Sequence, residues 1–277
     1  PRWRHDHHCT NNQIGPVRAG RSGVTSFTRD PLPPTPNLVL GATCNILNPV
    51  LNLPEDATFV YIGSCNQVYF EKYWKSLSSS WMEYDPGKTA LFINVINPDE
   101  KLLDFLFQEA SRVRSKRIYL TTSSGPNLPA YFASSRFFLA RTALQRYGCP
   151  VYIIDVDGTF ESPPTSTSPF PDHDVLVRDL KVGMPWGLLN ASRVVVAPTQ
   201  NGMLFLDVVT RYIATVFDPN KDQWFIDQNA LEYGRLELLN KAPSNSFADL
   251  HLYPHLKNIV LTRIGSAKQT IVDEIKY

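Results

Sequence analysis

The stretch VYIIDVDGTF, residues 151–160, sets four mostly apolar positions directly before two carboxylates, Asp155 and Asp157, and a glycine. An apolar run of that length bounded by a turn reads as a buried strand. What precedes it fixes what kind of sheet the strand joins. ATFVYIG (57–63), TALFINVI (89–96) and RIYLTT (117–122) read as three earlier strands. QVYFEKYWKSL (67–77), EKLLDFLFQEASRV (100–113) and PAYFASSRFFLARTALQRYG (129–148) read as the helices between them. In the first of these, Val68, Tyr69, Trp74 and Leu77 fall at helical spacing; the third opens with Pro129 and closes at Gly148, the usual start and stop signals. Strands alternating with helices of a dozen or more residues predict an α/β fold with a mostly parallel sheet and helices on both faces. Ligands of such sheets bind beyond the carboxyl ends of the strands, where Asp155 and Asp157 lie.

Beyond the acids, ESPPTSTSPFPDHD (161–174) is a Pro- and Ser-rich stretch, either a lid over the site or a long surface loop. HDVLVRD (173–179) and SRVVVAP (192–198) read as strands. GMLFLDVVTRYIATVF (202–217) reads as a helix with Phe205, Val208, Val209, Tyr212 and Val216 on one face. DQNALEYGRLELL (227–239) reads as another helix and NIVLTRI (258–264) as a last strand. Residues 1–36 are polar, contain RDPLPPTP and show no period, so they read as a flexible or surface-wrapping leader; residues 37–277 read as one domain. The leader's His5, His7, His8 and Cys9 have no second ligand pair at zinc spacing.

The 277 residues are 43% hydrophobic, enough for a proper core. Twenty-seven basic against 26 acidic residues leave the charge near neutral, with no general field to hold nucleic acid or an anionic membrane. Cys9, Cys44, Cys65 and Cys149 are widely spaced, which suits reduced thiols. No apolar run reaches transmembrane length and the start lacks the apolar stretch of a secretory signal, so the expectation is a cytoplasmic protein without a transmembrane segment.

A strand ending in paired acids serves two chemistries. DVDGT resembles the first motif of haloacid dehalogenase-like phosphatases, in which the first acid, here Asp155, is the nucleophile. That resemblance implies a motif on the first strand, yet about 150 residues of regular pattern precede it here, and the late acids Asp218 and Asp222 follow a helix. Over residues 57–268 the chain resembles GT-A-fold glycosyltransferases, the nucleotide-diphospho-sugar transferase group that includes glycogenin-like enzymes. The resemblance rests on the order of VYIGSCNQVYF, FINVINP, SSRFFLARTAL, YIIDVDG, NAS at 190–192, and DQ at 227–228.

This resemblance implies transfer of a sugar from a UDP- or GDP-sugar donor to a hydroxyl of a glycan, protein or small-molecule acceptor. It implies Mn²⁺ or Mg²⁺ at Asp155 and Asp157, hard oxygen ligands of the kind these ions take together with substrate phosphates. Asp157 is the expected direct ligand. Gly63, Ser64, Tyr69, Arg136, Asp155, Gln228 and Lys268 are the implied donor contacts, and Asn190 and Asp227 the implied catalytic pair. Ser192 replaces the family's usual glycine, narrowing the acceptor side. TRIGSAK (262–268) keeps Gly265 and Lys268 of a C-terminal His-x-x-Gly-x-x-Lys motif but has Thr262 in place of the His. His251 and His255 lie nearby as candidate substitutes for that His, although each reads more simply as a surface or core histidine.

Several of these residues have plainer readings. Tyr69 stacks on a base or sits in the core, and Asp227 accepts a hydroxyl proton or caps its helix. Arg136 projects from an apolar stripe of its helix and therefore needs an anion: the donor, the acid pair, or a purely structural ion pair with Asp155. The third alternative for the whole chain is a non-catalytic sugar-binding module.

Overall fold

The computed structural model describes residues 45–46, 57–84, 86–162, 173–179, 189–221, 223–242, 244–253, 256 and 260–262. The leader, its His and Cys cluster, Cys44, Asp222, His255, Gly265, Lys268 and most of the 161–174 stretch lie outside these residues.

Among the described residues, ten strands and five α-helices follow in the order β1 (Asn45–Ile46), β2 (Phe59–Asn66), α1 (Gln67–Met82), β3 (Thr89–Ile96), α2 (Glu100–Val113), β4 (Ile118–Ser123), α3 (Pro129–Tyr147), β5 (Val151–Ile154), β6 (Gly158–Phe160), β7 (Val175–Asp179), β8 (Leu189–Val196), α4 (Gln200–Val216), α5 (Ile226–Lys241), β9 (Phe247–Asp249) and β10 (Val260–Thr262). Local chemistry ends the helices where the sequence marks them. Asp99 and Thr199 accept the backbone N–H of Leu102 at 2.7 Å and of Gly202 at 3.0 Å, capping α2 and α4. Gly148 ends α3 at φ +61°, a left-handed conformation that costs a glycine nothing.

Eight strands form the main sheet in the order β1-β4-β3-β2-β5-β8-β7-β9. The β4-β3-β2-β5 block is parallel. The fold is thus α/β with a mostly parallel sheet, but β8 runs antiparallel to both β5 and β7, and β1 antiparallel to β4. The direction of β8 has a simple cause: only nine residues separate 179 from 189, too few for the crossover that a parallel neighbour requires.

Strand alternation divides the core into two layers. Val60, Ile62, Val151 and Ile153 face Phe137, Leu144, Phe205, Val209 and Leu231 of α3, α4 and α5. Phe59, Tyr61, Tyr152 and Ile154 face Phe70, Trp74, Leu77, Trp81 and Leu106 of α1 and α2. Two periodic readings overreach at helix ends: Val68 and Val216 are exposed, whereas Trp74, Leu77, Phe205 and Val209 are buried as expected.

The order of strands positions the site. From β2 the chain steps outward through β3 to β4, then returns to place β5 on the other side of β2. α1 lies on one face and α3 on the opposite one. The carboxyl ends of β2 and β5 therefore flank a topological switch point, the place where open α/β sheets leave a crevice.

Candidate functional site

β2 runs to Asn66, and α1 begins at the next residue. Asn66 accepts the backbone N–H of Tyr69 at 3.0 Å, which sets Tyr69 in the first helical turn above the strand end. β5 stops at Ile154, and the turn Asp155-Val156-Asp157 leads into β6, with the Gly158 N–H donating to the Asp155 carbonyl at 3.3 Å. Val156 is buried in the α1-side layer. A Cβ on Gly63 would stand 2.9 Å from Ile93 Cδ1 and 3.0 Å from Val156 Cγ2, so the missing side chain is what lets the turn lie down on β2. Gly63 thus acts on the site through packing.

Arg136 reaches the crevice from α3. Its guanidinium donates to Asp155 through Nη1 and to Asp227 through Nη2, the latter at 3.2 Å. Side-chain exposure is 5% for Arg136, 7% for Asp227 and 20% for Asp155, so the cluster opens to solvent mainly at Asp155. Burial opposes the guanidinium's charge, but the carboxylates of Asp155 and Asp227 outweigh it and hold its pKa above the ordinary value. Burial pushes the Asp227 carboxyl up, an effect that Arg136 opposes and Asp155 reinforces. Both the structural pairing with Asp155 and a second acid, 91 residues further along the chain, answer Arg136's need for an anion.

Asp157 is buried. Burial, followed by the charges of Asp157, Tyr73 and Asp155, pushes the Tyr69 phenol well up, so the phenol stays protonated beside the acid turn. Tyr69 also packs on Tyr73 with ring centres 5.4 Å apart. Asp227 sits in the first turn of α5 without being its cap residue, which is Phe225; its Oδ1 accepts the N–H of Gln228 at 2.8 Å. The Gln228 Oε1 is shielded from solvent and has no hydrogen bond among the described residues.

Ser64 and Asn190 are occupied locally. Ser64 Oγ shares a 2.8 Å hydrogen bond with Ser135 and accepts one from Asn94 Nδ2 at 3.2 Å. Asn94 also donates to Ser123 and accepts from Thr121, which ties the ends of β2, β3 and β4 together beneath the crevice. Asn190 Oδ1 accepts both the N–H, at 2.7 Å, and the hydroxyl of Ser192. The backbone of β10 pairs with β6 so that Thr262 stands opposite Gly158, one residue beyond Asp157. The position aligned with the resemblance's C-terminal His is therefore brought to the acid turn.

Arg193 was not foreseen. It is buried on β8 opposite Ile154, and its pKa is lowered, first by burial; Arg178 adds to that, while Tyr152, Asp155 and Glu161 oppose it. The signal was available: an arginine opening an apolar strand, SRVVV, needs a reason to be there.

Among the described residues, no three His, Cys, Asp or Glu side chains gather closely enough to hold a metal by themselves. No described helix is long and apolar enough to cross a membrane. Cys65 and Cys149 are buried free thiols.

No protein-family model and no curated protein matches the chain. Among solved structures it is similar to the glycosyltransferase GlyE of Streptococcus pneumoniae TIGR4, at 11% identity over 76% of this chain and 55% of that one, with a TM-score of 0.47. It is also similar to mouse xyloside xylosyltransferase 1 in its apo form, at 11% identity over 70% of this chain and 84% of that one, with a TM-score of 0.40. The chain spans little more than half the length of GlyE.

Proposed function

We propose that this chain is a glycosyltransferase that moves a sugar from a UDP- or GDP-sugar to an acceptor hydroxyl. The observation that carries the reading is the convergence of Tyr69, Arg136, Asp155, Asp157, Asp227 and Gln228, drawn from four separate sequence motifs, on the switch point between β2 and β5.

The donor set fits a hard divalent ion, Mn²⁺ or Mg²⁺, because Asp155 and Asp157 supply carboxylate oxygens and such ions complete their shell with substrate phosphates. Asp155 and Asp157 would hold such an ion, whose chemistry when bound would be to neutralise charge on a departing diphosphate. Asp157 is its direct ligand in this reading. Arg136 holds Asp155 in place and opposes the upward push that burial gives the Asp227 carboxyl. Tyr69 offers a protonated phenol and a ring that stacks on the base. Asp227 spends two of its roughly four acceptor sites on Arg136 and Gln228, which leaves room to accept an acceptor hydroxyl's proton. Asn190 contacts sugar hydroxyls through its carboxamide, and Lys268, beyond the described residues, meets the diphosphate. The chain is read as one catalytic domain over 37–277 with a leader before it.

An Asp155 nucleophile fits less well. A carboxylate held by a buried guanidinium is a weakened nucleophile, and four strands of the sheet precede the one it follows. The deciding experiment is thermal stabilisation and hydrolysis across UDP- and GDP-sugars with Mn²⁺ or Mg²⁺. Metal-dependent stabilisation that Asp157→Asn abolishes is the expected result. Stabilisation by beryllofluoride, lost in Asp155→Asn, would sink the transferase reading in favour of a phosphatase. Glycan binding without any nucleotide response would leave a binding module.

A further inference from the structure

We propose that Trp224 and Phe225 form a stacking subsite for the acceptor, and that the acceptor seated there is a carbohydrate presenting the C–H face of a pyranose ring. The inference rests on the transferase reading and names the substrate class of that site.

Two successive aromatics stand exposed at 37% and 43%, next to the buried Ile226 and the buried carboxylate Asp227. Singly exposed apolar residues are ordinary, but adjacent large aromatics beside a candidate catalytic acid are a costly arrangement unless something covers them. The segment that carries them is built. Gln223 Nε2 donates to the Val216 carbonyl at 2.9 Å while its Oε1 accepts the Asp218 N–H at 2.6 Å, so one side chain fastens both sides of the turn after α4. The Asp218 carboxylate accepts the Asn220 N–H at 2.9 Å and pairs with Lys221 at 3.1 Å. The Ile226 N–H returns to the Gln223 carbonyl at 2.9 Å. A platform fixed in this way loses little freedom when a ligand arrives.

The chemistry of five consecutive residues, Trp-Phe-Ile-Asp-Gln at 224–228, selects the occupant. Aromatic faces take a flat apolar surface, and Asp227, two and three residues on, keeps acceptor sites beyond those that Arg136 and Gln228 use for hydroxyl donors. A pyranose has both surfaces at once. An anionic lipid headgroup meets a carboxylate there, and a purely apolar ligand offers that carboxylate no donor.

The test uses the whole chain with UDP and Mn²⁺ present, and the probes are the methyl β-glycosides of glucose, galactose and xylose. Saturation-transfer NMR reads glycoside binding, and calorimetry reads UDP affinity. Because both aromatics are exposed, Trp224→Ala and Phe225→Ala are expected to melt as the parent does. The expected result is saturation of the ring protons of at least one glycoside, about tenfold weaker binding in Trp224→Ala, a smaller loss in Phe225→Ala, and UDP affinity unchanged within about twofold. Binding of no glycoside, equal binding in both variants, or Trp224-dependent binding only to phosphatidylcholine–phosphatidylglycerol vesicles overturns the proposal. Trp224-dependent glycoside binding without any nucleotide affinity upholds the carbohydrate subsite and removes the transferase reading instead.

Discussion

Replacing Arg136 by methionine keeps an elongated side chain in α3 but deletes the charge that two acids share. The Asp227 carboxylate is then left at 7% exposure with no cation, while Asp155, at 20%, can turn toward water. Exposed ion pairs contribute about 0–1 kcal/mol, whereas removing one partner of a buried pair costs about 3–5 kcal/mol. In a chain of this size each kcal/mol moves the melting temperature by about 2–4 °C, so Arg136→Met is expected to melt about 10 °C lower at pH 7. The loss depends on pH in a definite direction. Burial raises the Asp227 pKa, so between the ordinary carboxylate value and the folded value the native state holds the extra proton, and Asp227's contribution to stability falls as pH rises through that window. Arg136 is the charge that limits that rise; without it the window widens upward. The variant should therefore suffer most at neutral pH and recover toward the parent as the solution is acidified to about pH 5. Adding Asp227→Asn to Arg136→Met removes the stranded charge and should restore about 0.5–3 kcal/mol as a coupling energy. Thermal melts of the two single variants and the double variant at both pH values measure all of this. Equal melting of Arg136→Met and parent at pH 7, or strict additivity in the double variant, would refute the shared-cation account.

Gly63→Ala drives a Cβ to 2.9 Å from Ile93 and 3.0 Å from Val156, so a loss of about 1–3 kcal/mol should come with weaker metal-dependent nucleotide affinity as the acid turn lifts. Gly234→Ala, 2.8 Å from Val209 and 2.9 Å from Phe205 where α5 crosses α4, should cost a similar amount in denaturant titration and leave nucleotide affinity alone. Glu109 accepts the Trp74 indole N–H at 2.9 Å, and its pKa is lowered by its bond to Arg112 and then by Trp74, with burial opposing. That contribution is present above the ordinary glutamate range and fades as pH falls through the lowered value, so Glu109→Gln should flatten the acid limb of the melting profile. Since Arg112 is more than half exposed, the cost at pH 7 belongs near 1 kcal/mol.

Much of the architecture was readable because it is written locally. The apolar runs of β2 to β5 and the start and stop signals of α3 each involve a few consecutive residues. Val68 and Val216 misled because helical periodicity continues past the point where a helix still overlies the sheet. β6 and β9 have three residues each, too few to show a period of two, whereas β10 falls inside the apolar run 258–264 that reads as a last strand. In the site, the acid turn and the burial of Arg136 were legible, since a cation on an apolar stripe has to be compensated. That Asp227 is half of the compensation was not legible, because α5 reaches α3 only through tertiary packing. Trp224 and Phe225 carried no signal at all, lying in a turn whose shape depends on what Gln223 fastens.

The spacing of the two acids also explains why they are not equivalent. In an extended strand, residues two apart project from the same face and would meet the same neighbours. β5 ends at Ile154, one residue too early for that rule, and the turn that follows separates them. Arg136, from the layer of α3, α4 and α5, feels Asp155 more strongly than Asp157; Tyr69, from the layer of α1, feels Asp157 more strongly than Asp155. Losing Asp155 therefore strips a partner from a buried cation and should lower stability along with function. Losing Asp157 removes a buried carboxylate that acts on Arg136 more weakly than Asp155 does, and should lower the melting temperature less than the loss of Asp155 while abolishing metal-dependent nucleotide affinity. Asp155→Asn and Asp157→Asn, compared in one melt and one UDP titration with Mn²⁺, separate the acid that builds the crevice from the acid that acts in it; equal effects of the two on both measurements would mean that the turn does not divide their roles.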